Sequence, residues 1–216
     1  MELTNFQELV HLIATPVMVV LYTLRLVILF RHRLAKDRSP DPKGDLAKGV
    51  ADAFLTLVMP WKMQSTRKHW TYYVEFMAFH LGLAFNISLA YLITFAAAFM
   101  TGPVRTVFVA FIAVGLVAGI IRFIGRLTRP DLKVISSFDD YFSLFLVLLF
   151  DATGILALQG IVWGSYLYFV VVGFFLIYAP FSKIHHYLYY PFARFFYGSD
   201  ISRKGILNTE VRNAGG

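Results

Sequence analysis

The sequence contains no cysteine. That excludes a disulfide, and it excludes an iron–sulfur cluster held by thiolates of this chain alone. Charge is scarce as well: Asp, Glu, Lys and Arg make up 15% of the residues, against roughly 25% in an ordinary soluble domain. No internal repeat is visible, and polar residues inside the apolar runs are too few to line a water-filled transport path. What is abundant is apolar: 58% of the 216 residues are hydrophobic and 17% aromatic. A soluble core of this size cannot absorb so much, whereas membrane-spanning helices can. The net charge of +7 sits in blocks between apolar runs rather than along one face, which argues for membrane topology and against nucleic acid.

Hydropathy predicts an all-α integral membrane protein with five spans, at about 12–30, 72–99, 104–124, 141–158 and 166–187, each near the ~20 residues a bilayer requires. The first run is too long, and too basic beyond its end, for a cleaved signal peptide. The basic stretches "RHRLAKDRSPDPKGDLAK", "STRKHW", "RFIGRLTRPDLK" and "SRK" all fall on one side of this topology, while "MTGPVR" and "QGIVWGSY" on the other are nearly uncharged. The positive-inside rule then puts the N-terminus outside and the C-terminus in the cytoplasm of a cell inner membrane. The whole chain, 1–216, reads as one membrane domain, with a cytoplasmic loop at 31–71 and a cytoplasmic tail at 196–216. Within the loop "SPDPKGD" reads as a linker. "LAKGVADAFLTLVMPW" places Val50, Ala53, Phe54, Leu57 and Val58 on one helical face, suited to the membrane surface or to a partner.

Six histidines are candidates for chemistry. His32 and His69 stand among arginines and lysines, where a solvated or headgroup role is the simpler reading, and His11 lies at the outer end of span 1, where it suits a structural role or an outer quinone pocket. His80 is about 12 Å by helical rise from Tyr72 inside span 2, a depth at which polar groups are costly and functional. His185 and His186 close span 5, which runs the opposite way, so they share that depth. Two imidazoles on different helices suit the two axial positions of a b-type haem, and a structural role for them stays open. Zinc fits poorly, because a structural site needs four nitrogen or sulfur ligands. Residues one apart on a helix point about 100° apart, so one of His185 and His186 faces the haem.

The stretches "FHLGL", "RLTRPDLKVISSFDDYFSLFLVLL" and "APFSKIHHYLYYPF", in that order, make residues 68–195 resemble the cytochrome b, or gamma, subunit of respiratory nitrate reductases and related membrane subunits of heterodisulfide-reductase-like complexes. The resemblance implies five spans, an external N-terminus, and electron transfer between menaquinone or ubiquinone and a cytoplasmic iron–sulfur subunit. It places the axial ligands of an inner haem b at His80 and His186. The second ligand pair of the nitrate-reductase subunits falls near Ala90 and Tyr168, neither of which suits a haem, and their joint absence implies a single haem. The competing reading is a haem-free membrane anchor or assembly subunit.

Haem propionates call for cations, and Arg25, Arg122, Arg126 and Lys183 cluster toward the inner ends of their spans, where snorkelling to headgroups explains them equally well. Gly82 would let a macrocycle approach the backbone, or would simply pack against another helix. Asp151, about 15 Å along span 4, is the candidate for quinone-linked proton transfer or for a protonated structural acid. Glu75 lies near the inner boundary, and Asn86, Tyr91, Gln159 and Tyr168 are further polar groups of the outer half. Ser136, Ser137, Asp139 and Asp140 precede an apolar run and read as helix-capping residues.

Overall fold

The computed structural model describes residues 2–32, 44–59, 61 and 64–204. They form helices α1 (Leu3–Arg31), α2 (Leu46–Val58), α3 (Gln64–Lys68), α4 (Trp70–Phe95), α5 (Gly102–Thr128), α6 (Pro130–Ile135), α7 (Phe138–Leu158), α8 (Val162–Tyr178) and α9 (His186–Lys204), with 3₁₀ turns at Ala97–Phe99 and Lys183–His185. No strand occurs among the described residues. Helices α1, α4, α5 and α7 are long and apolar enough to cross a membrane, and α8 together with the helix after it makes up to five.

Local chemistry sets the helix ends. Pro103 opens α5 in its first turn, where a missing N–H costs nothing, and Pro130 follows α5's end and opens α6 in the same way. Gly160 joins α7 to α8 with φ of +74°, a left-handed conformation that suits glycine. Ser137 caps α7: its backbone N–H and its hydroxyl both donate to Asp140 Oδ2 at 2.8 Å. The expected capping role of Ser137 and Asp140 is therefore observed.

The fifth predicted span is corrected. It starts earlier, at Val162, and does not run as one helix through residue 187: α8 ends at Tyr178. Pro180 is the cause, since a proline here has no N–H to give the carbonyl four residues back and its ring crowds that carbonyl. Ser182 finishes the turn, its hydroxyl donating to the Ala179 carbonyl and accepting from the Ile184 N–H, each at 3.2 Å. His185 thus ends a 3₁₀ turn and His186 begins α9, so both lie beyond the break rather than in the helix that opens the span.

The chain divides into two units. The first comprises 1–26 and 74–185. Its helices turn apolar faces outward, with Leu12 73% and Val117 57% exposed, while the buried side of α1 carries Gln7, His11, Ala14 and Tyr22. An outer surface of this kind suits lipid, and in water it would be a liability. Large side chains such as Tyr168, Phe169, Leu89 and Ile112 fill the interior, and at one crossing the backbones themselves come close. A Cβ on Gly82 of α4 would stand 2.5 Å from the Gly115 Cα of α5, a small-residue crossing of the kind that lets membrane helices approach.

The second unit comprises 27–73 and 186–216. Asp45 caps α2, its Oδ1 accepting from the N–H groups of Ala47 at 2.9 Å and Lys48 at 3.2 Å. Helix α2 lies on α9 with Ala53 buried, and Gly49 and Gly198 bring the two backbones together. The face predicted for a membrane surface or a partner is thus used in part within the chain. The side chains of Leu57 and Val58, and residues 39–43 of the linker, lie outside the described residues. Residues 196–204, predicted as tail, complete α9.

Candidate functional site

His80 is half-buried on α4, one turn after Phe76. Its Nδ1 donates to the Phe76 carbonyl at 2.8 Å, and its ring lies 4.0 Å from the Phe76 ring and 5.3 Å from that of Phe79. A proton held at Nδ1 puts the lone pair on Nε2. This is the arrangement found in metal-ligating histidines, where a carbonyl fixes both tautomer and ring. His185 Nδ1 likewise donates to the Ser182 carbonyl. His186 is exposed at the first residue of α9, and His32 and His69 are exposed as well. No group of three or more His, Asp or Glu suited to a metal ion occurs among the described residues. A metal needing three or four protein ligands is not provided for there, whereas one carried by a macrocycle needs only one or two.

The basic residues expected at propionates are mostly engaged with acids of this chain. Arg122 Nε donates to Glu75 Oε1 at 3.1 Å, and its guanidinium lies 5.2 Å from the centre of the Phe79 ring. Arg126 donates to the Ser136 hydroxyl at 2.6 Å and stands 3.9 Å from Asp140. Lys183 Nζ donates to Asp140 Oδ2 at 2.5 Å. Arg25 is half-buried on α1.

Asp139 has a role that capping chemistry alone did not reveal. Its Oδ1 accepts from the Tyr178 hydroxyl at 2.5 Å and its Oδ2 from the Lys183 N–H at 2.7 Å. The first turn of α7 therefore clamps both sides of the break after α8. The sequence signal was present in "SSFDDY" and "YAPFSK", but nothing local said that they meet across 44 residues.

A second constellation forms at the centre of the first unit. Asn86 of α4, Asp151 of α7 and Tyr168 of α8 are each 0% exposed. Asn86 Nδ2 donates to the Phe150 carbonyl and to Asp151 Oδ1, both at 2.9 Å, and the Tyr168 hydroxyl donates to the Asn86 carbonyl at 2.9 Å. Gly154 makes this possible, because a Cβ there would run into the Asn86 amide. One turn along α4, the Ala90 carbonyl accepts from His11 Nε2 at 3.2 Å and from the Thr94 hydroxyl at 2.9 Å. The rings of Tyr91, Phe95 and Phe169 surround His11, at 4.6, 5.5 and 6.0 Å. Of the other predicted polar groups, Gln159 is an exposed cap of α7 and Gly82 packs on Gly115.

These features define the class: an all-helical protein whose helices are long and apolar enough for several membrane crossings, with polar side chains turned inward. No family model, no curated protein and no solved structure matches the chain.

Proposed function

We propose that the chain is a membrane b-type cytochrome subunit of the cytoplasmic (inner) membrane. It relays electrons between a quinone pool, menaquinone or ubiquinone, and a cytoplasmic iron–sulfur partner, with the N-terminus outside. Haem b is held by His80 and by a mate from the His185–His186 pair, assigned to His186 through the sequence resemblance. The observation that carries the reading is the Nδ1 bond of His80 to Phe76, which keeps the proton on Nδ1 and so gives the tautomer that ligation through Nε2 requires. The haem, when bound, supplies one-electron transfer.

A single haem is supported by the packing at the two positions that a second one would need. Tyr168 is 0% and Ala90 2% exposed, and Tyr168 stacks on Phe150 with ring centres 5.5 Å apart. Of the four candidate cations, Arg25 retains the role of propionate partner most readily, because Arg122, Arg126 and Lys183 are already paired with acids. Those same pairings favour the second reading, a haem-free anchor or assembly subunit whose bundle closes on its own charges.

The optical spectrum of the purified protein decides between them. Stoichiometric bis-imidazole haem that is lost in His80→Ala and His186→Ala but retained in His185→Ala supports the cytochrome. Protein purified from haem-replete cells without that spectrum defeats it.

A further inference from the structure

We infer that Asp151 carries a proton in the folded protein and exchanges it along a polar face of α1 formed by Gln7, His11 and Thr15. The inference rests on the first unit alone and holds whether or not the chain binds haem.

The carboxyl of Asp151 is 0% exposed and forms no ion pair among the described residues. The penalty for an isolated buried carboxylate is several kcal/mol, which one amide N–H does not offset. The side chains that meet at its site are neutral, Asn86 from α4 and Tyr168 from α8; of the arginines of α5, Arg105 is exposed, Arg122 is paired with Glu75 and Arg126 stands beside Asp140. The neutral acid is the form that this site accommodates. Oδ1 accepts from Asn86, so the proton belongs on Oδ2.

Among the described residues, Oδ2 is one of four buried side-chain polar atoms of this unit without a hydrogen-bond partner; the others are Asn86 Oδ1, His11 Nδ1 and Thr15 Oγ1. Their placement is not scattered. Helices α1 and α8 run side by side in one direction, Phe6 against Tyr166 and His11 against Phe169. Helix α4 runs the other way, with Ala90 beside His11. One turn along α1 from His11 is Thr15, and the matching turn of α4 is Asn86, so the two fall at one level. In the other direction Gln7, 7% exposed, carries the polar face one turn toward the start of α1. Hydrogen-bonding groups thus succeed one another along α1 from the end of the bundle to the level of Asn86, which bonds Asp151. Water is the smallest molecule able to satisfy the four unpartnered atoms.

The test uses the full-length protein in lipid nanodiscs and reads the infrared C=O stretch of protonated carboxyls. A band at neutral pH that disappears in Asp151→Asn is expected. If that variant does not fold, aspartate labelled with ¹³C at the carboxyl makes the assignment, since Asp151 is the one buried aspartate among the described residues. On transfer to D₂O the band should shift at least tenfold more slowly in His11→Phe and in Thr15→Val than in the wild type. Ser88→Ala, at an exposed site on α4, should match the wild type. Absence of the band, as expected if the carboxylate is ionised against a bound cation, overturns the proposal. Unchanged exchange in both α1 variants overturns the route.

Discussion

Replacing Gly154 with alanine should destabilise the bundle only while Asn86 is present. The new Cβ would stand 3.0 Å from both Cγ and Nδ2 of the Asn86 amide. Relieving that overlap pushes Asn86 off Phe150 and Asp151. Overpacking of a filled interior costs about 1–3 kcal/mol, and two interhelical hydrogen bonds in a membrane protein contribute about 1 kcal/mol together. Alanine regains about 1 kcal/mol of helix propensity over glycine, so the net loss is about 1–3 kcal/mol. In Asn86→Ala the amide is gone, the Cβ has room and only the propensity gain remains, so the same substitution becomes neutral or stabilising by up to about 1 kcal/mol. A double-mutant cycle, read from equilibrium unfolding in mixed micelles, should give a coupling of roughly 2–4 kcal/mol. Equal effects of Gly154→Ala in both backgrounds would refute the reasoning.

Asp139→Ala removes the acceptor of the Lys183 N–H; a charged hydrogen bond contributes about 1.5–3 kcal/mol, so hydrogen exchange at the Lys183 amide should accelerate about 10- to 100-fold, with a smaller change in Asp139→Asn. Gly198→Ala places a Cβ 2.6 Å from both the Gly49 carbonyl oxygen and the Val50 Cα; backbone cannot move aside as a side chain can, so α2 should lose about 1–3 kcal/mol of protection, read by exchange of its amides. The Arg129 guanidinium, bonded to Asp131, holds that carboxyl below its ordinary value. The contribution of this pair is therefore present above the ordinary carboxylate range and lost as pH falls through the lowered value. A carboxyl NMR titration should show that Arg129→Gln raises the Asp131 midpoint, with no measurable change in overall stability because the pair is exposed.

Hydropathy located the first four spans because twenty consecutive apolar residues leave few alternatives, and the capping of α7 was readable in Ser137 and Asp140. The break after Tyr178 was also written in the chain, as Pro180, but the apolar sum across residues 166–187 conceals a missing N–H. The Asn86–Asp151–Tyr168 constellation was not legible in the same way. Its members were each noticed as polar, yet their meeting depends on Gly154 admitting the amide, and a glycine in an apolar run carries no sign of what lies opposite. The pairing of Arg122 with Glu75 escaped for a related reason: 47 residues separate them, and each has a bland explanation at a membrane boundary.

Helix α4 also shows how stability and the proposed ligation can be tested apart. Its buried residues Phe79, Gly82, Asn86 and the adjacent pair Leu89 and Ala90 succeed one another at steps of three or four positions, so they form a single stripe at the helical period. Along that stripe it meets α5 through Gly82, α7 through Asn86 and α1 through the Ala90 carbonyl. His80 follows Phe79 by one residue and so lies about 100° round the helix, at the margin of the stripe, half-buried and tied to its own helix through Phe76. Truncating His80 removes none of the interhelical contacts described above, whereas truncating Asn86 removes two hydrogen bonds to α7. Loss of a haem spectrum in His80→Ala, with unfolding in micelles unchanged, would therefore report on ligation rather than on collapse of the bundle.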